Sequence, residues 1–62
     1  MSQLTRLRVM DALQPGREYT FTDIARNVDF PEPEIRAAIN RLLRNKALRI
    51  LRRRPYTYAR TS

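Results

Sequence analysis

The sequence predicts a mainly α fold that closes on a small β-hairpin, and three observations predict it. Apolar residues recur at helical spacing in three separate stretches before residue 45. Beyond Asn45 the pattern switches to strand-like alternation on either side of Arg53-Arg54-Pro55. Breakers separate the segments: Gln14-Pro15-Gly16 after the first, and the run from Asn27 to Pro31 after the second. Residues 1–62 therefore read as a single domain of three helices with a two- or three-stranded wing, near the lower size limit for a chain that folds alone.

The first helix is expected over residues 2–13, capped by Ser2. Leu4, Leu7, Met10 and Leu13, with Val9 beside them, form its apolar stripe against Thr5, Arg6, Arg8 and Asp11. These leucines and Met10 are expected in the core; alternatively the helix also packs against a second copy, as a homodimer. Residues 17–21 are rich in β-formers and predict a brief strand. Thr22 is the expected N-cap of the second helix, with Asp23 suiting the helix dipole and Ile24, Ala25 and Val28 on its inner side.

The third helix is predicted over residues 33–45, with Pro33 in the first position, where its missing amide costs nothing. At about 100° per residue, Ile35, Ala38, Ile39, Leu42 and Leu43 share one side. Pro33, Ala37, Asn40, Arg41 and Arg44 share the other. Asn45 is the expected left-handed cap. Residues 48–52 form a strand with Leu48 and Ile50 on one face, and residues 56–60 form its partner. At least one of Tyr56 and Tyr58 belongs to the core, and Thr61-Ser62 is an expected frayed end.

Composition removes several functions. The chain has no cysteine and no histidine, so disulfides, thiolate chemistry and histidine-based acid–base catalysis are excluded and no metal or cofactor is expected. Six carboxylates offer no spaced pair beside a nucleophile, and one glycine cannot build a phosphate-cradling loop. No enzyme and no small-molecule ligand is expected. No apolar run approaches the roughly 20 residues of a membrane span, and Arg6 and Arg8 interrupt any leader-like stretch. A cytoplasmic, nucleoid-associated location with no membrane partner is expected, and the starting methionine is the expected beginning of a complete protein.

Charge is the strongest signal. The net charge is +7, and 12 of the 13 basic residues are arginine. Residues 1–34 hold four arginines and six acids, a balance of −2, whereas residues 35–62 hold nine basic residues and no acid, a balance of +9. Such asymmetry points to a polyanion-binding face rather than a merely solvated one, which would mix both signs. Arginine favours planar, bidentate contact with phosphate or guanine.

A short helix, a corner and a longer helix with a basic outer face form a helix-turn-helix pattern. T-x-x-x-I-A-R-N-V at residues 20–28 resembles the "T-x-x-E-L-A" second helix of winged helix-turn-helix transcriptional regulators. F-P-x-x-x-I-x-x-x-I-x-x-L at residues 30–42 is similar to their recognition helix, A-L-R-I-L at 47–51 to the strand that follows, and P-Y-T-Y-A at 55–59 to the returning wing strand. The resemblance spans nearly the whole chain at superfamily level. It departs where the family usually has glycine, at Lys46 or Ala47, and at Glu32 and Glu34, where the family often has Ser, Thr or Lys. Those carboxylates suit the helix dipole; a glutamate accepting from cytosine is the other reading.

The resemblance implies a small transcriptional regulator of bacterial, archaeal or phage type, bound to double-stranded DNA. It places helix 33–45 in the major groove and the arginine-rich wing on the backbone. The implied DNA-binding residues are Thr22 at a helix N-terminus, Arg36, Ala37, Asn40, Arg41 and Arg44 on the recognition helix, and Arg52, Arg53, Arg54 and Tyr56 on the wing. Two other classes stay open: a protein-interaction module docking on an acidic partner, and an RNA or single-strand binder that stacks bases on the hairpin tyrosines.

Overall fold

The computed structural model describes residues 3–61. Three helices, α1 (Gln3–Ala12), α2 (Phe21–Asn27) and α3 (Glu32–Arg44), are joined by a three-stranded antiparallel sheet of β1 (Tyr19–Thr20), β2 (Leu48–Arg53) and β3 (Tyr56–Arg60), in the order β1-β3-β2. The architecture is thus mixed α/β rather than mainly α, because the two-residue strand β1 pairs with β3 through Tyr19 to Tyr58 and Thr20 to Thr57. Among the described residues no helix is long and apolar enough to cross a membrane.

The core gathers Val9 and Leu13 from the first segment, Ile24 and Val28 from the second, Ile35, Ala38, Ile39 and Leu42 from α3, and Leu48 from β2. α3 behaves as its apolar spacing demands. α1 does not: Leu4 and Leu7 are 50% and 54% exposed, while Thr5, expected outside, is fully buried. The expectation that both leucines are core residues is therefore corrected. Apolar side chains surround α1, so its packing on α3 selects the face that holds Thr5 and Val9. The expected Ser2 cap lies outside the described residues, as does Ser62.

Helix ends differ from expectation by one or two residues, each for an identifiable reason. The N-cap of α2 is Thr20, not Thr22. Thr20 leaves β1 in an extended conformation and accepts from the Asp23 amide at 3.1 Å, while the Asp23 carboxylate accepts from the Thr20 amide at 3.0 Å. That reciprocal capping box needs an acid three residues after the cap, and from Thr22 the third residue is Ala25. α3 starts at Glu32, so Pro33 takes the second helical position. The Pro31 carbonyl accepts from Glu34 and Ile35, and neither Glu32 nor Pro33 needs to donate there.

At the other end of α3, Asn45 is right-handed and the left-handed position is Lys46, at φ 62°. Lys46 donates to the Leu43 carbonyl and Ala47 to that of Leu42, at 3.1 and 2.9 Å. This is the Schellman arrangement, which satisfies two terminal carbonyls and usually places glycine where Lys46 stands. Thr61 is not frayed: its amide donates to the Ala47 carbonyl and its hydroxyl to that of Lys46.

In the hairpin, cross-strand partners share a face. Leu48, Ile50 and Arg53 face with Arg60, Tyr58 and Tyr56, while Arg49 and Arg52 face with Ala59 and Thr57; Leu51 is an extra, bulged residue. The first face packs on the helices, with Leu48 in the core and Tyr58 against it; Tyr56, nearer the tip, is half exposed. Ala59 and Thr57 are buried without joining that core.

Candidate nucleic-acid interface

The outer face of α3 is set by its inner one. With Ile35, Ala38, Ile39 and Leu42 turned inward, Asn40, Arg41 and Arg44 are exposed and Ala37 is half-buried on the side between them. Asn40, Arg41 and Arg44 thereby present two cations and an amide on one side. Glu32 and Glu34, in the first turn, lie at the opposite end of the helix from Arg41 and Arg44, an arrangement that suits both ends of the dipole.

Arg36 lies on the flank and is the best-fixed cation of the set. Its Nε and Nη2 donate to Glu32 Oε1 at 3.2 and 2.9 Å. Its guanidinium carbon also sits 4.3 Å from the centre of the Phe21 ring. Sequence spacing points to Tyr58 only as a base-stacking or core tyrosine and does not point to Phe21 as a site residue, yet both line a small cleft with Arg36, Ile39 and Asn40. No spacing rule links residue 21 to residue 36; only the corner between α2 and α3 brings them together.

The hairpin supplies a second basic element. Arg52, Arg53, Arg54 and Tyr56 are all exposed. They do not form one cluster. Arg52 reaches Glu18 at 3.0 Å and faces with Thr57, whereas Arg53 faces with Tyr56. Arg54 stands in the turn. Among the described residues, Arg41, Arg44, Arg53 and Arg54 have no carboxylate partner. Thr22, displaced from the cap, is exposed in the first turn of α2.

The acids are engaged elsewhere. Asp23 is held below the usual carboxylate range by the Thr20 amide first and the Thr20 hydroxyl second, with the nearby Arg26 adding a smaller lowering. Glu18 and Glu32 are in ion pairs. Asp11 and Asp29 line a groove of about 530 Å³ between α1 and the α2–α3 corner, with Arg8, Asn27 and Phe30. Two carboxylates make that groove a poor seat for a polyanion. Among the described residues no group of side chains could hold a metal ion. Comparisons with protein-family models, curated proteins and solved structures gave no match.

Proposed function

We propose that the chain is a winged helix-turn-helix domain that binds double-stranded DNA as a small transcriptional regulator. α3 enters the major groove and the β2–β3 hairpin grips the adjacent backbone. The observation that carries this reading is the pair of exposed, unneutralised arginine sets on two neighbouring elements, Arg41 and Arg44 on α3 and Arg53 and Arg54 at the hairpin end. The element order and the β1-β3-β2 sheet support it. On α3, Asn40 and Arg41 are the base readers by chemistry, since their side chains pair bidentately with adenine and guanine. Ala37 keeps the helix surface low between them, and Arg44 and the wing arginines contact phosphates. Thr22, in the first turn of α2, donates its hydroxyl to a neighbouring phosphate.

Selection from random duplexes, followed by titrations at several salt concentrations, tests the proposal. Steep loss of affinity with salt is expected. Arg53→Ala with Arg54→Ala should weaken all duplexes by a similar factor and lower the salt slope by about one for each phosphate no longer neutralised. A palindromic product would identify a homodimer. One observation favours a second reading: Tyr56 is half exposed directly opposite Arg53, an arrangement that could stack a single-stranded base. Tighter binding to a single strand than to the selected duplex, lost in Tyr56→Ala, would replace the first reading with the second. Flat salt dependence would favour docking on an acidic protein instead.

A further inference from the structure

We infer that the cleft bounded by Phe21, Arg36, Ile39, Asn40 and Tyr58 seats one backbone phosphate of duplex DNA, with Phe21 positioning Arg36 to receive it. The inference rests on the duplex-binding reading above and gives it a fixed anchor. Three features of the cleft argue for an anion. Its polar groups can all donate, the Arg36 guanidinium, the Asn40 amide and the Tyr58 hydroxyl; Arg36 and Tyr58 hold the phosphate, which leaves Asn40 to its base. No carboxylate among the described residues lines it. Among the described residues, the Asn40 side chain and the Tyr58 hydroxyl have no hydrogen-bond partner.

Arg36 is held in the orientation such a contact needs. The Phe21 ring lies against its flat face at 4.3 Å, and Glu32 occupies the edge bearing Nε and one Nη2 hydrogen. A guanidinium has five N–H groups, so the edge between Nη1 and Nη2 remains to fork onto two oxygens of one phosphate. The Glu32 pair does not compete strongly. Both partners are 61% exposed, and exposed pairs four residues apart on a helix contribute little. Its role is to orient the fork. Size selects the ligand further: the cleft holds about 80 Å³, against about 30 Å³ for each water in bulk. That is room for a small tetrahedral group.

The test replaces single phosphates of the selected duplex with neutral methylphosphonates, one position at a time, and measures binding by fluorescence anisotropy. One position should exist at which neutralisation weakens the unaltered protein about tenfold, as expected when a charge-assisted bond is removed, yet weakens Arg36→Ala far less. Tyr58→Phe should weaken every duplex about tenfold for one hydrogen bond to an anionic acceptor, with thermal stability unchanged. Phe21→Leu should reproduce the Arg36→Ala loss of about one unit of salt slope and add nothing in the Arg36→Ala background. Phe21→Trp, which keeps a flat ring, should retain wild-type slope and affinity. A folded Phe21→Trp that binds as weakly as Arg36→Ala would overturn the positioning role, even where Phe21→Leu does not fold. If Arg36→Ala and the unaltered chain show the same neutralisation profile, or Phe21→Leu costs as much with Arg36 absent as present, the seat is overturned while duplex binding stands. If the unaltered chain binds no duplex, both readings fall together.

Discussion

α3 turns Ile35, Ala38, Ile39 and Leu42 inward and shows Asn40, Arg41 and Arg44 to solvent; α1 turns Thr5 and Val9 inward and shows solvent Leu4 and Leu7. The two helices pack against each other, so the contrast is not one of position. A helix with apolar side chains on one side only carries its own orientation into the fold. A helix with apolar side chains all round takes its orientation from what it packs on. On α1 the face chosen is the one with short and β-branched side chains. Small residues at a helix contact let the axes approach, and Ala38 of α3 is fully buried as well. Leucines at the same place would hold the helices apart.

The contrast can be broken most directly by truncation. Ile39→Ala should cost about 2–5 kcal/mol, enough to unfold most molecules of so small a domain, whereas Leu7→Ala should stay within about 0.5 kcal/mol as a surface change. Equal losses in thermal melts would mean that α1 buries Leu7 after all. The outer faces differ next. Asn40→Ala should cost about 1–3 kcal/mol on the preferred duplex and much less on unrelated sequences, while Arg8→Ala on α1 should leave the difference between cognate and random DNA unchanged. Equal loss on both kinds of DNA for Asn40→Ala would show that α3 positions the protein without reading bases.

Thr5 sharpens the comparison from the α1 side. Among the described residues its buried hydroxyl has no hydrogen-bond partner, and an unsatisfied buried hydroxyl is destabilising by about 1 kcal/mol or more. Thr5→Val keeps the shape and should raise the denaturation midpoint by the equivalent of about 1 kcal/mol. A lower midpoint would mean that the hydroxyl is satisfied in solution. Lys46→Gly, at the end of α3, should stabilise by about 0.5–1 kcal/mol, since glycine adopts the left-handed position without a Cβ penalty. The smallest effect concerns pH. The Asp23 carboxyl is depressed below its ordinary 3.8 by the Thr20 cap, so its contribution is present above that value and lost as pH falls through the depressed one. Acid unfolding of Thr20→Ala should accordingly be less steep over that range; an identical acid limb would show that the capping box does not couple to protonation.

What could be read in the residues follows the same division. α3, its inner face and the change from helix to hairpin are written in local periodicity, and they were legible. Pro15 and Pro31 marked the boundaries because proline fixes φ and removes a donor, and Gly16 because it takes φ 82° without a Cβ penalty. The orientation of α1 was not legible, since it depends on α3, which is distant in sequence. The choice of Thr20 over Thr22 did carry a signal: both are good caps by residue type, but only Thr20 has an acid three residues on, at Asp23. Lys46 escaped for another reason. Asparagine is the more usual left-handed residue, but the last turn of α3 runs one residue further before its carbonyls are satisfied. In the candidate site, the exposed arginines were legible as charge. The stacking of Arg36 on Phe21, and the place of Tyr58 beside it, were not, because tertiary contact alone creates them.

The bulge at Leu51 has a bearing on how this hairpin can change length. A strand that gains or loses a residue normally turns every later side chain to the other side. Here Leu51 is the surplus residue between two paired positions, Ile50 opposite Tyr58 and Arg52 opposite Thr57. Removing it would leave a regular ladder with Arg52 still beside Thr57 and Arg53 still beside Tyr56. Removing Arg49 instead would also use up the surplus residue: Ile50 would move opposite Ala59 and Leu51 opposite Tyr58, while Arg52 and Arg53 stay opposite Thr57 and Tyr56. The bulge thus lets β2 lose one residue anywhere between Leu48 and Arg52 without reversing the sides of the hairpin arginines, which a regular strand could not do.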